Sequence, residues 1–258
     1  MIFNVKIMLI LGFLMTLTNA EKLRLKRADV LESKKMGFET VKHLQGNVQF
    51  EKGDVKLNCQ KSVYKERKDI AFLFNQVKIF KDDLILECDS ITFYSKKNKF
   101  ESNGNPIIYD LDYKLVADSL IYFTELDSGI ALGNVELIQN DQKIKADRIE
   151  YVKNPGSEAI SYIAIGNVEI IDSLRTATCG LANYNDITEK TILDRGPIII
   201  DEQRTIAGEQ IVLKYDKKSL SRILIPNNAK ISSKIKEYNN VKKDSAHTVF
   251  EKNDEMTS

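Results

Sequence analysis

The feature that most constrains this chain is a phrase repeated about every 29 residues. Its clearest copies are Gly46-Asn47-Val48, Gly104-Asn105-Pro106, Gly133-Asn134-Val135 and Gly166-Asn167-Val168. Degenerate copies stand at Asn75-Gln76-Val77 and Gly196-Pro197-Ile198, and successive first positions step by 29, 29, 29, 33 and 30. A second marker, a small residue followed by an acid or its substitute, keeps the same time. It reads Ala28-Asp29, Cys59-Gln60, Cys88-Asp89, Ala117-Asp118, Ala146-Asp147, Cys179-Gly180 and Gly208-Glu209. Two markers holding one period require stacked, similar units, so function is expected on a surface the units build together.

Each unit reads as two strands. Val135-Glu136-Leu137-Ile138 follows the Gly-Asn pair, and Lys143-Ile144-Lys145-Ala146 follows Asn140-Asp141. The same plan gives Val77-Lys78-Ile79 and then Leu84-Ile85-Leu86-Glu87-Cys88. Apolar and charged residues alternate with period two, as in strands with one dry and one wet face, and no helical stripe competes. The Gly-Asn and Asn-Asp pairs are read as the tight connections between strands. The fold class is therefore all-β.

The alternation slips once per unit. Leu86 and Cys88, or Leu115 and Ala117, share one parity; beyond the small-acid pair it flips to Ile91 and Phe93, Leu120 and Tyr122, or Ile149 and Tyr151. A recurrent single-residue slip implies a bulge that bends the strand. The small residue fits inside the bend, and the acid turns outward to bond free backbone N–H groups. A stack of bent strands makes a V-shaped trough or semi-closed roll with an apolar concave side. Roughly 12 to 14 strands at about 4.8 Å each would extend on the order of 60 Å.

The first twenty residues differ in kind. Lys6 precedes the apolar run Ile7 to Leu17, and Thr18-Asn19-Ala20 offers a small-x-small cleavage site before Glu21. The run is too short to span a bilayer, so residues 1–20 read as a cleaved secretory signal and the mature chain as periplasmic. Residues 21–233 read as one repeat domain, and the polar stretch 234–258 as a disordered tail. With 38 basic and 37 acidic side chains, and no aromatic interleaving of the lysines, nothing points to nucleic acid.

Cys59, Cys88 and Cys179 all occupy the small position of the second marker. They are read as small buried hydrophobes; the alternative is a Cys59–Cys88 disulfide. An antiparallel meander sets equivalent residues two strands apart, roughly 9.5 Å, which is beyond disulfide reach, whereas a rung-per-repeat solenoid would bring them together. Enzymatic chemistry is sparse. His43 and His247 lie far apart, one before the first Gly-Asn pair and one in the tail. Single acids such as Asp29, Asp89, Asp118 and Asp147 read as turn formers rather than a calcium ladder. The only expansion of the period surrounds Pro155-Gly156-Ser157. No catalytic residue, metal site or cofactor is expected.

Together, the Gly-Asn-Val phrase, the alternating strand, the small-acid pair and an aromatic four residues past the acid (Tyr64, Phe93, Tyr122, Tyr151, Tyr184) resemble the LptA/OstA family of periplasmic lipopolysaccharide-transport proteins. The run Cys88-Asp89-Ser90-Ile91-Thr92-Phe93-Tyr94 is especially similar to its OstA-like members, and the resemblance extends over residues 22–232. It departs from the family in its length and in Gly180, which stands where an acid is expected. The resemblance implies an elongated, semi-closed β-jellyroll that binds lipopolysaccharide with its acyl chains in an apolar groove. It also implies partners joined by strand-edge pairing: an inner-membrane-anchored jellyroll protein, the N-terminal domain of an outer-membrane barrel, and further copies of the chain head to tail.

The groove residues expected on this basis are Val48, Phe50, Leu57, Val77, Ile79, Leu86, Ile108, Leu115, Val135, Leu137, Ile144, Val168 and Ile170. An aspartate at Leu86 or Leu137 is expected to abolish lipid binding more than folding. Two other readings stay open at this point: a structural or adhesive β-solenoid without a lipid groove, and a polysaccharide-acting β-helix enzyme.

Overall fold

The computed structural model describes residues 21–110, 113–139, 142–153, 159–216 and 219–233. The expected export segment and tail, His247, the Asn140-Asp141 pair and the expansion around Pro155-Gly156-Ser157 lie outside the described residues.

The described residues form one antiparallel meander of fourteen bent strands. The first is split at its bend into β1 (Arg24–Arg27) and β2 (Val30–Met36). Four then run through their bends: β3 (Glu39–Lys52), β4 (Val55–Lys65), β5 (Ile70–Lys81) and β6 (Leu84–Tyr94). Two are split, into β7 (Lys99–Asn103) with β8 (Ile107–Asp110) and β9 (Tyr113–Val116) with β10 (Ser119–Phe123). Continuous strands return with β11 (Ser128–Gln139), β12 (Gln142–Lys153), β13 (Ile160–Ile171) and β14 (Arg175–Asn185). The last three are split again: β15 (Lys190–Asp194) with β16 (Ile198–Asp201), β17 (Arg204–Ala207) with β18 (Gln210–Asp216), and β19 (Ser219–Leu224) with β20 (Lys230–Ser233). Among the described residues the one helical element is a 3-10 turn, Ser95–Lys97.

Because every strand bends, its two halves belong to two facing sheets. The half containing Tyr64, Phe93 or Tyr122 builds sheet I, and the half containing Leu57, Leu86 or Leu115 builds sheet II. The expected β-jellyroll of bent antiparallel strands is the fold that forms. The repeat length follows from its parts. The unit from β4 to the next β4-like strand joins strands of 11 and 12 residues through the four-residue connection 66–69 at the sheet I end and the two-residue connection 82–83 at the sheet II end.

The Gly-Asn pairs correct the expectation that they connect strands. Gly133 and Asn134 lie inside β11, as two residues opposite the single Asp147 of β12. Both have positive φ, +73° and 42°, a conformation open to glycine and tolerated by asparagine. Two consecutive left-handed residues turn the backbone within the ladder, so the pair makes the corner and the strand continues beyond it. Hairpins are instead closed by Gly53-Asp54 and Asp82-Asp83 on the sheet II side. At three of these corners the acid of the preceding strand seals the bend. Asn47, Asn134 and Asn167 donate through Nδ2 to the Oδ2 of Asp29, Asp118 and Asp147 at 2.8, 2.9 and 2.9 Å. The outward acid thus accepts a side-chain amide rather than the backbone N–H that was expected.

The parity slip is obeyed throughout: Leu115, Ala117, Leu120 and Tyr122 are all buried, two on each sheet. The three cysteines are free thiols at the corner. Cys88 pairs across from Val77, and Cys59 lies on the far side of the same valine, so the two are separated by a strand. Burial pushes the pKa of each thiol up to about 11. His43 is exposed within β3.

Candidate functional site

Two rows of side chains face each other across the interior. On sheet II the register runs Phe50, Leu57, Ile79, Leu86, Ile108, Leu115, Leu137, Ile144 and Ile170, each directly opposite the next. Val48, Val77, Val135 and Val168 form a second row nearer the corner, paired with Cys59, Cys88, Ala146 and Cys179. These rows contain every residue the sequence nominated for the groove, and all are buried.

Sheet I supplies the opposing wall. Its register runs Tyr64, Ala71, Phe93, Phe100, Tyr122, Gly129, Tyr151, Tyr162 and Tyr184. Phe100 stacks on Tyr122 with ring centroids 5.0 Å apart, and Tyr162 on Tyr184 at 4.8 Å. Tyr122 and Tyr151 meet at 6.1 Å across Gly129. The phenols of Tyr64, Tyr122 and Tyr184 donate to Asp69, Asp127 and Asp186 in the connections just beyond their strands, at 2.7, 3.0 and 2.7 Å. Burial, reinforced by these carboxylates, raises the three phenol pKa values above their ordinary 10. The hydroxyls therefore remain donors.

The space between the walls is not uniform. In the N-terminal half Phe50, Phe93 and Phe100 are fully buried and fill it. There the open side of the V is also laced shut by lysines that end sheet II strands. Lys52 Nζ crosses to the Ser95 carbonyl and Asn98 Oδ1, and Lys81 Nζ crosses to the Thr124 carbonyl at 2.8 Å and to Asp127. Desolvation lowers the Lys52 pKa from 10.5 against the pull of Asp69, Glu125 and Glu21. One repeat further on, the same position holds Asp110, then Gln139. Asp110 cannot donate a lace; it accepts from the Tyr113 hydroxyl at 2.8 Å instead.

Where the lysines stop, the interior opens. A cavity of about 270 Å³ lies between Leu115 and Leu137 on sheet II and Ile149, Tyr151 and Tyr162 on sheet I, with Asp110, Gln139, Lys153 and Asp186 around it. A second hollow of about 290 Å³ adjoins it, lined by Lys81, Asp82, Asp83, Asp127 and Tyr122. The two share Asp110, Tyr113, Tyr151, Lys153 and Ile160.

Of the nominated groove residues only Leu115 and Leu137 line this cavity. Ile170 borders a small gap further on. Val48 and Val77 border a wide outer cleft at the corner, and the others pack within the core. Sequence reasoning had nominated neither the tyrosines nor Ile149 for the site. Tyr151 and Tyr184 were legible as the aromatic past the acid. Tyr113 and Tyr162 carry no periodic mark. Among the described residues no group of His, Cys, Asp and Glu could hold a metal ion, and no helix is long and apolar enough to cross a membrane.

Comparison with curated proteins gives no match. Among solved structures the chain is similar to LptH, the LptA-homologous periplasmic component of the lipopolysaccharide transport device of Pseudomonas aeruginosa. Identity is 16%, coverage is 48% of this chain and 94% of that one, and the TM-score is 0.37. The family of LptA/(LptD N-terminal domain) LPS transport proteins matches residues 114–219, a stretch that begins at the cavity wall and contains Leu115, Leu137, Tyr151 and Tyr162. Over that stretch the chain is similar to the LptA/(LptD N-terminal domain) family of LPS transport proteins.

Proposed function

We propose that this protein binds lipopolysaccharide between its two sheets and shuttles or bridges it through the periplasm from the inner to the outer membrane, without catalysis. The observation that carries the reading is the cavity between Leu115, Leu137, Ile149 and Tyr162, which opens where the lysine laces end. Each acyl methylene moved there from water contributes about 0.8 kcal/mol, so chains are held without any reactive group. The matched family is one of transport proteins, which supports the same reading.

The ends of the stack support edge-to-edge partners. Sheet I begins at β2, which among the described residues pairs only with β3 and is exposed along its whole length, including Val30, Leu31 and Met36. A strand with one free edge of this kind offers a ladder to an incoming strand. We assign the two ends to an inner-membrane-anchored jellyroll partner and to the N-terminal domain of an outer-membrane barrel, with head-to-tail self-association as the default when neither is present.

The test is to purify the exported protein from a Gram-negative periplasm and examine it by native mass spectrometry with lipid A analysis. Stoichiometric glycolipid is the expected result. Leu137→Asp, at the cavity wall, should lose the lipid and keep the fold. Leu86→Asp, in the filled half, should unfold. A folded wild-type protein that carries no lipopolysaccharide and refuses it when added would overturn the proposal.

A further inference from the structure

The hairpin tips that close the sheet I side are not alike along the stack. The first, between β2 and β3, runs Met36-Gly37-Phe38-Glu39 and is turned by Gly37 at φ +62°. Phe38 is 90% exposed and Met36 58% exposed, so both side chains stand clear of the body of the protein. The second tip, 66–69, lies against the first. The Arg67 backbone N–H donates to Glu39 Oε1 at 2.7 Å, and its guanidinium lies over the Phe38 ring at 5.8 Å. The third, 95–98, lies against the second, where Lys96 Nζ donates to the Arg67 carbonyl at 3.0 Å. Three successive tips therefore form one surface, reaching about 20 Å along the stack at two strands per tip.

That surface is basic. Lys34 and Lys35 of β2, Arg67, Lys68, Lys96 and Lys97 are all exposed. The acids of the first two tips are engaged: Glu39 by the Arg67 N–H, Glu66 by Lys42 at 3.1 Å, and Asp69, which is buried, by the Tyr64 hydroxyl. β2 itself carries one acid, Glu32, against its two lysines. Further along the same rim the sign reverses. The tip 124–127 carries Glu125 and Asp127 beside the exposed Leu126, and 186–189 carries Asp186 and Glu189 beside the exposed Ile187. Apolar side chains recur on the tips, and at the β2 end they are ringed by cations.

We propose that this end of the protein docks on an anionic bilayer surface, with Phe38 and Met36 dipping below the headgroups and the six cations lying on the lipid phosphates. An aromatic tip framed by lysine and arginine suits a membrane interface, because the ring enters the apolar boundary while the cations stay at the phosphate level. Each cation near an anionic surface strengthens binding roughly fivefold. Several cations and one wedge thus give reversible attachment. Two protruding side chains offer little area to a folded protein, whereas the charge and shape of the patch match a bilayer. The contact uses the tips alone and leaves the free edge of β2 open to an incoming strand. It orients the stack with its β2 end towards a membrane.

The purified exported protein is sedimented with vesicles of phosphatidylcholine alone and with vesicles in which phosphatidylglycerol makes up about a third of the lipid. It should sediment with the anionic vesicles only and come off at about 1 M salt, where the screening length falls to about 3 Å. The chain contains no tryptophan, so Phe38→Trp supplies a single reporter at the tip, and its emission should shift to the blue on anionic vesicles. Phe38→Ala should weaken binding about tenfold, and Lys96→Gln with Lys97→Gln about twentyfold, each with an unchanged Tm. Leu126→Ala, on an acidic tip, should bind as wild type does. Absence of binding, or equal binding to both kinds of vesicle, would overturn the proposal. So would full-strength binding by Phe38→Ala or an unshifted Phe38→Trp emission on bound vesicles, either of which would leave the tip to a protein partner.

Discussion

Gly129 is demanded by its neighbour rather than by its backbone. It lies outside the left-handed region, yet an added Cβ would sit 2.5 Å from Tyr151 Cε1. Only a missing side chain lets Tyr122 and Tyr151 meet across β11. Gly129→Ala should therefore cost about 2 kcal/mol of stability, read from the urea midpoint, and a smaller residue at 151 should recover part of that loss. Ionisable residues add a pH signature. Glu101 accepts from Lys99 and then from Tyr94, and these bonds hold its carboxyl below 4.5. Its folded pKa is depressed, so its contribution is present above pH 4.5 and disappears as pH falls through the lower folded value. Urea midpoints at neutral and acid pH should differ less in Glu101→Gln than in wild type. The cysteines are predicted to resist alkylation near neutral pH until denaturant is added, because burial keeps them protonated.

Among the elements, the corner and the lace do different work. Three corners combine two left-handed residues with a clasp from the previous strand, as in Asn134 on Asp118. Asn134→Val should cost about 2 kcal/mol, since a β-branched residue is strained at positive φ, and Asn134→Gly much less. The lace joins the far ends of the two sheets. Lys81→Met would remove charge-assisted bonds to Thr124 and Asp127 and should lower stability by about 2 kcal/mol. Both effects are read from equilibrium unfolding. The corner motif was plain in the sequence, although its role was mistaken. A Gly-Asn pair has the same left-handed preference in a hairpin and in a bulge, and only the partner strand distinguishes them. The laces were not legible, because Lys52 and Lys81 look like any lysine on a wet strand face.

Over the whole molecule, packing is uneven along the stack. From β3 to β7 the interior is filled by Phe50, Phe93 and Phe100 and closed by two laces; around β11 to β13 it holds a cavity. Hydrogen exchange should show the slowest amides in the first region and earlier local opening beside the second. Bound lipid should raise protection mainly around Leu137 and Tyr151, where it would replace missing contacts.

The period, the all-β class, the bend and the dry face of each strand can all be read from the chain alone. These follow from local rules: alternation sets the faces, and a repeated slip sets the corner. The chain also nominates a set of apolar residues for a lipid groove; all are buried, and two of them, Leu115 and Leu137, line the cavity. Which of them face empty space depends on how the two sheets meet. Ile79 and Leu137 occupy equivalent places in the pattern, yet Ile79 is 0% exposed within the packed core and Leu137 is 7% exposed at a cavity wall. The difference comes from side chains on the opposite sheet and from a lysine that becomes Asp110. Those are meetings between residues distant in the chain, and no local pattern encodes them.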